Sequence, residues 1–172
     1  QITAEEYERN EELKIIIVGD GKVGFTLATR LSEEGHDITV VDNKSEALHK
    51  AVESLDVLTV EGNGASFSVL EEAGIKETDL LIAATAMDEV NMLCCLIGKR
   101  LGAKRTIAKM RDPDYFDQLE SMKEEMGLSM VINPEQAAAE EIMRLITFPA
   151  ALSIGSFAEG RVYVMEYKIS PN

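Results

Sequence analysis

Gly19-Asp20-Gly21-Lys22-Val23-Gly24 is the stretch whose residue types and spacing carry chemistry. Gly19 permits a tight turn, and Gly21, lacking a Cβ, lets a diphosphate approach the backbone. Gly24 lets a following helix pack closely on a sheet. The phosphates would meet free N–H groups and the positive end of the helix dipole. Asp42 lies about 20 residues on, where a carboxylate accepts hydrogen bonds from adenosine-ribose hydroxyls. An added 2′-phosphate would be repelled there, which disfavours NADP. Asn43 follows Asp42 and is grouped with it. NAD(H), ATP and ADP share the ribose and diphosphate, so the motif does not choose among them. An ordinary tight turn is the alternative for the glycines. Lys22 either neutralises phosphate charge at the helix start or is a solvated lysine.

These residues need elements to position them. Residues 13–18 read as a buried strand, 25–31 as a helix and 37–41 as a second strand, with Asp42 closing it. A helix over 45–54 presents Ala47, Leu48, Ala51 and Val52, and strands follow at 56–60 and 79–84. Between them a short helix with Val69 and Leu70 ends at Gly74. Helices at 88–101, 113–126 and 134–146 alternate with strands at 105–109 and 129–132. Asp112 caps the second of these helices, with Pro113 at its first position. The pattern predicts an α/β fold: a Rossmann-like, doubly wound parallel sheet of six strands in order 3-2-1-4-5-6. Ligand is expected at the carboxyl ends of the strands.

The same rule selects further residues. Gly62, Asn63 and Gly64 follow strand three, and Asn63 either pairs with the polar edge of adenine or only shapes a turn. Thr85, Asp88, Glu89 and Asn91 follow strand four. Thr85 is best placed for phosphate, through its hydroxyl and adjacent amides, while Asp88 reads first as the cap of the next helix. Lys109 and Arg111 end strand five, as phosphate-screening cations or as solvated charges.

A chain of 172 residues fits one ordinary domain plus a tail, and 45% hydrophobic content suffices for a core. Residues 1–12 read as a disordered or appended terminus, 13–147 as the binding domain, and 148–172 as a hinge with the start of another lobe. The missing initiator methionine suggests trimming. No signal peptide or membrane span is visible. A formal net charge of −14 argues against nucleic acid and against direct lipid binding. Cys94 and Cys95, mid-helix among apolar neighbours, read as buried thiols of a reducing cytosol. His36 and His49 read as surface residues; no Tyr-x-x-x-Lys pair or activated nucleophile stands out. Binding rather than catalysis is the expectation. An NAD-dependent oxidoreductase fragment lacking its catalytic part is the alternative, and a free-standing nucleotide sensor is a third.

Together these residues resemble the nucleotide-binding RCK (KTN) domain of TrkA-type potassium-uptake proteins, over about residues 14–146. The specific segments are 14–24, 40–42, 62–66, 70–75, 85–91 and 107–115. The resemblance implies a cytosolic, non-enzymatic regulator that binds NAD(H) or ATP/ADP. It implies homodimers, and higher rings, beneath a membrane K⁺ channel or transporter that supplies the only link to the membrane. Gly19, Gly21, Gly24 and Asp42 match the family's nucleotide fingerprint. Asn63 stands where aspartate is commoner, and Lys22 where arginine is frequent, so a point charge replaces a planar fork. Phe148-Pro149 resembles the dimer hinge, and residues from Gly155 onward the start of a C-terminal ligand-binding lobe. Glu135 resembles a position that binds cations at some relatives' dimer interfaces, although a helix-start carboxylate also has a plain dipole explanation.

Overall fold

The computed structural model describes residues 12–147, 153–157 and 162–166. The strands are β1 (Lys14–Val18), β2 (Asp37–Asp42), β3 (Leu58–Glu61), β4 (Leu80–Ala83), β5 (Arg105–Lys109) and β6 (Met130–Ile132). They form one sheet in the order β3-β2-β1-β4-β5-β6, every pair parallel. The expected order is therefore the observed one. Ile17 pairs with Val40 on one side and Ile82 on the other, so β1 is central and carries its loop to the middle of the carboxyl edge.

Apolar runs rather than alternating ones form these strands because both faces are covered. Ile15 and Ile17 point to one face, with Ile38 and Val40, beneath Ala28 of α1 (Lys22–Glu33) and Leu48 of α2 (Ser45–Ser54). Ile16 and Val18 point to the other, with Val41 and Leu81. That face is covered by Leu70 of α3 (Phe67–Glu72), Ile75 of a following 3₁₀ turn, and Cys94 and Cys95 of α4 (Asp88–Leu101). Leu119 of α5 (Pro113–Met122) completes it. Helix α1 starts three residues earlier than the sequence pattern indicates, because Gly24 lies inside its first turn. Asp112 does cap α5, its side chain accepting the Asp114 amide at 2.9 Å, with Pro113 at the first position. Helix α5 stops at Met122, short of the expected 126.

Contacts divide the chain after Asn133. The second unit contains α6 (Pro134–Thr147) and an antiparallel pair, β7 (Ser153–Phe157) and β8 (Val162–Glu166), in register Ile154 to Met165. Residues 1–11 and the expected hinge at Phe148-Pro149 lie outside the described residues. Among the described residues, no helix is long and apolar enough to cross a membrane.

Candidate functional site

The loops after β1, β2, β3, β4 and β5 meet at the carboxyl edge, and the glycine loop is built into their centre. The Gly19 amide donates to the Val41 carbonyl at 2.7 Å, and its φ of +97° is one that a side chain resists. A Cβ there would stand 2.7 Å from the Thr85 nitrogen. A Cβ on Gly24 would fall 1.8 Å from the Gly19 carbonyl oxygen, main chain against main chain. Gly21 differs: a Cβ there would meet nothing within 4 Å. The first helical bond of α1 runs from the Phe25 amide to the Gly21 carbonyl at 2.9 Å. The amides of Lys22, Val23 and Gly24 lie ahead of it, with no partner among the described residues. This open side, faced by free donors at a helix start, fits a diphosphate.

Asp42 does two jobs. Its Oδ2 accepts the Asp20 amide at 2.7 Å and its Oδ1 accepts the Lys44 amide at 2.9 Å, so it braces the glycine loop and the next turn. Each carboxylate oxygen keeps a second lone pair for a ribose hydroxyl. The brace was not visible in the sequence. Asp20 itself has a buried Oδ1 without a hydrogen-bond partner among the described residues. Burial and then the charge of Asp42 push its carboxyl above the usual range, with Lys50 opposing. Lys50 places its Nζ 4.5 Å from the centre of the Phe25 ring. Lys22 and Asn43 are exposed beside the loop.

After β3, a Cβ on Gly62 would lie 2.6 Å from Val69 Cγ2, and one on Gly64 would lie 2.1 Å from Val18 Cγ1. That loop is pressed onto the end of β1. Asn63 is exposed and its side-chain oxygen accepts the Ala65 amide at 3.0 Å, which is the turn-shaping role.

The residues after β4 and β5 form a lock rather than an open row. Asn91, fully buried, accepts the Thr85 amide at 2.8 Å and the Thr85 hydroxyl at 2.7 Å through Oδ1. Its Nδ2 donates to the carbonyls of Lys109 at 2.8 Å and Thr85 at 3.2 Å. The Thr85 hydroxyl expected to contact phosphate is thus already engaged by Asn91. Asp88 is not the cap of α4; Met87 is, and Asp88 occupies the first turn. Its Oδ2 accepts the amides of Arg111 and Asp112, each at 2.9 Å, because the buried carboxylate faces the loop after β5. Lys109 is not a solvated charge: it is 7% exposed, with Nζ 3.4 Å from the Ala84 carbonyl. Arg111 is exposed, and its guanidinium donates to the Ala86 carbonyl at 2.6 Å.

Elsewhere the chemistry is sparse. His36 is no surface residue: its ring is 8% exposed, and Nδ1 accepts the Leu13 amide at the opposite edge. His49 is exposed. Cys94 and Cys95 are buried, and burial pushes the Cys94 thiol up to about 12. Glu135 is exposed in the first turn of α6. Among the described residues no three His, Cys, Asp or Glu side chains are grouped to hold a metal. A groove of about 410 Å³ does lie at the amino ends of the strands, lined by residues including Lys14, Asp37, Leu58 and Thr78. It contains none of the expected ligand residues.

Comparison with known proteins identifies the family and the fold. Residues 15–134 match the family model described as the TrkA-N domain. The chain is 40% identical over 159 residues to the Trk system potassium uptake protein TrkA of Haemophilus influenzae, covering 91% of this chain and 35% of that protein. It is 38% identical over 166 residues to a Trk system potassium uptake protein trkA homolog 1 of Methanosarcina mazei, covering 92% and 40%. The chain thus spans about two fifths or less of these two relatives. A solved structure described as the GsuK channel bound to NAD superposes with a TM-score of 0.64 at 19% identity. That likeness covers 88% of this chain and 26% of the other.

Proposed function

Because this chain belongs to the TrkA-N domain family, we propose that it is the nucleotide-sensing part of a regulator of potassium transport. One observation carries the ligand reading: Gly21 leaves open space beside three free helix-start amides, with the Asp42 carboxylate braced against the same loop. The amides of Lys22, Val23 and Gly24 would hold the diphosphate of NAD(H), ATP or ADP, and Asp42 the adenosine ribose. When bound, the nucleotide supplies charge and hydrogen-bonding groups rather than a reaction. Relatives named for potassium uptake rather than for a reaction support a non-enzymatic role.

Regulation requires that ligand distinguish two shapes of the assembly. A nucleotide bound equally well in both would change nothing, so the response comes from differential contacts. The loops after β4 and β5 are the natural reporters, since Asn91 and Asp88 tie them together as one body. The membrane partner is a K⁺ channel or transporter, reached from the cytosol. Helix α6 supports self-association as a homodimer and higher ring: Ile142, Met143 and Ile146 are 57%, 60% and 67% exposed in the single chain.

Calorimetric titration with ATP, ADP, NAD⁺ and NADH tests this reading. Binding of at least one is expected, weakened about tenfold or more by Asp42→Ala, the scale of a charged hydrogen bond. Turnover of a substrate with NAD, abolished by that variant, would replace the sensor with an oxidoreductase.

A further inference from the structure

The phosphate loop contains one residue at odds with its task. Asp20 sits between Gly19 and Gly21, immediately before the open side and the free amides. Its main chain is fixed, because its amide donates to Asp42 Oδ2 at 2.7 Å. Its side chain is only partly exposed, and Oδ1 is buried with no hydrogen-bond partner among the described residues. With one oxygen buried, the carboxylate is partly confined within the loop that leads to the amides. The charged groups facing it are Asp42 at the end of β2 and Lys50 of α2, with Lys22 two residues along on α1. Lys50 lies over the Phe25 ring rather than in a hydrogen bond with Asp20.

Resting on the nucleotide reading above, we propose that Asp20 sets the phosphate-charge preference of the site, disfavouring the triphosphate relative to the dinucleotide. The argument is electrostatic. The helix-start amides attract phosphate of any kind, but a negative charge two residues before the first of them repels each added ionic charge. NAD⁺ carries two phosphate charges and ATP about four, so the penalty falls unequally on them. Between screened unit charges roughly a helical turn apart it amounts to a few-fold in affinity per charge. The ligand's charge also makes Asp20 easier to protonate, so binding takes up a proton at pH values between its free-state and bound-state titrations. Affinity then rises as pH falls from the bound-state titration of Asp20 to its free-state titration, and levels off below.

Asp20→Asn tests this, since it keeps the backbone amide that Asp42 accepts. Dissociation constants for ATP and NAD⁺ are measured by calorimetry for the full chain and the variant. The ratio of the ATP constant to the NAD⁺ constant should fall about three- to tenfold in the variant. Proton uptake, read from the heat in two buffers of different ionisation enthalpy, should shrink; ionisation of the nucleotide itself is common to both proteins. Should the variant fold poorly, proton uptake by the unmodified chain on binding NAD⁺, followed from pH 7 down to about pH 5, above the range where the adenine itself titrates, is the deciding readout. Nucleotides that bind both proteins with an unchanged ratio and no proton uptake would overturn the role of Asp20 alone. No binding of either nucleotide at millimolar concentration would overturn the nucleotide reading with it.

Discussion

One carboxylate oxygen of Asp88 accepts the main-chain amide of Arg111 at 2.9 Å, joining the start of α4 to the loop after β5. The same oxygen takes the Asp112 amide, so a single side chain satisfies two donors 23 and 24 positions away. Removing it leaves both amides without that partner in a part-buried place. Asp88→Ala should therefore cost about 2–3 kcal/mol of stability. Asp88→Asn, which keeps an acceptor, should cost less. Urea denaturation measures both, and an Ala variant as stable as the parent would mean that solvent replaces the carboxylate.

The glycine loop yields a separation of folding from binding. Gly21→Ala adds a methyl to open space, so its stability should change by no more than about 1 kcal/mol. Nucleotide affinity should nevertheless drop, because that methyl enters the side where the diphosphate is expected. Gly24→Ala drives a Cβ onto the Gly19 carbonyl, where only backbone can yield, and should destabilise by about 3 kcal/mol or more. Thermal melts and titrations on the two variants check the contrast. Equal behaviour of the two would contradict it.

Asp20 predicts an unusual pH effect on the ligand-free protein. Burial first and Asp42 second raise its carboxyl above the usual value, so the folded state holds the proton more tightly than the unfolded state does. The sign is the reverse of an ordinary paired aspartate: stability is full below the unfolded titration and is lost as pH rises through the folded one. Asp20→Asn should be more stable than the parent at pH 7, and the gap should close in acid. Denaturation curves at pH 7 and pH 4 test it; a gap of the same size at both would remove Asp20 as the cause.

Cys94 and Cys95 should be silent to thiol reagents while the chain is folded. With the Cys94 thiol pushed up to about 12 by burial, and Cys95 raised well above its usual value, almost no thiolate exists at pH 8. A disulfide-exchange reagent should label both only as denaturant unfolds the protein. Rapid labelling of the native chain would show that α4 opens locally.

The sheet order was readable because it depends on local signals: apolar runs bounded by Gly, Asp and Pro, and a glycine loop that marks the central strand. Asp112 and Pro113 were readable for the same reason, since a cap and its helix are neighbours in sequence. Asp88, Asn91 and Lys109 were misread or only half read, because their partners lie 18 to 25 positions away and only packing brings them close. Sequence made Asp88 a cap and Lys109 an even choice between ligand and solvent. Gly127 suggested a helix end at 126, but the turn in which the Leu128 amide reaches the Lys123 carbonyl at 2.8 Å ends α5 sooner. The open side at Gly21 could be expected from the motif; the brace from Asp42 to the Asp20 amide could not.

The contact between Gly24 and the Gly19 carbonyl has a practical corollary for anyone retooling this loop. Two of its six positions are frozen by main-chain crowding, and the proposed diphosphate site requires Gly21 to stay bare. Diversity, whether selected in nature or at the bench, is confined to Asp20, Lys22 and Val23, so a library at those three sites explores nearly every preference the turn can express.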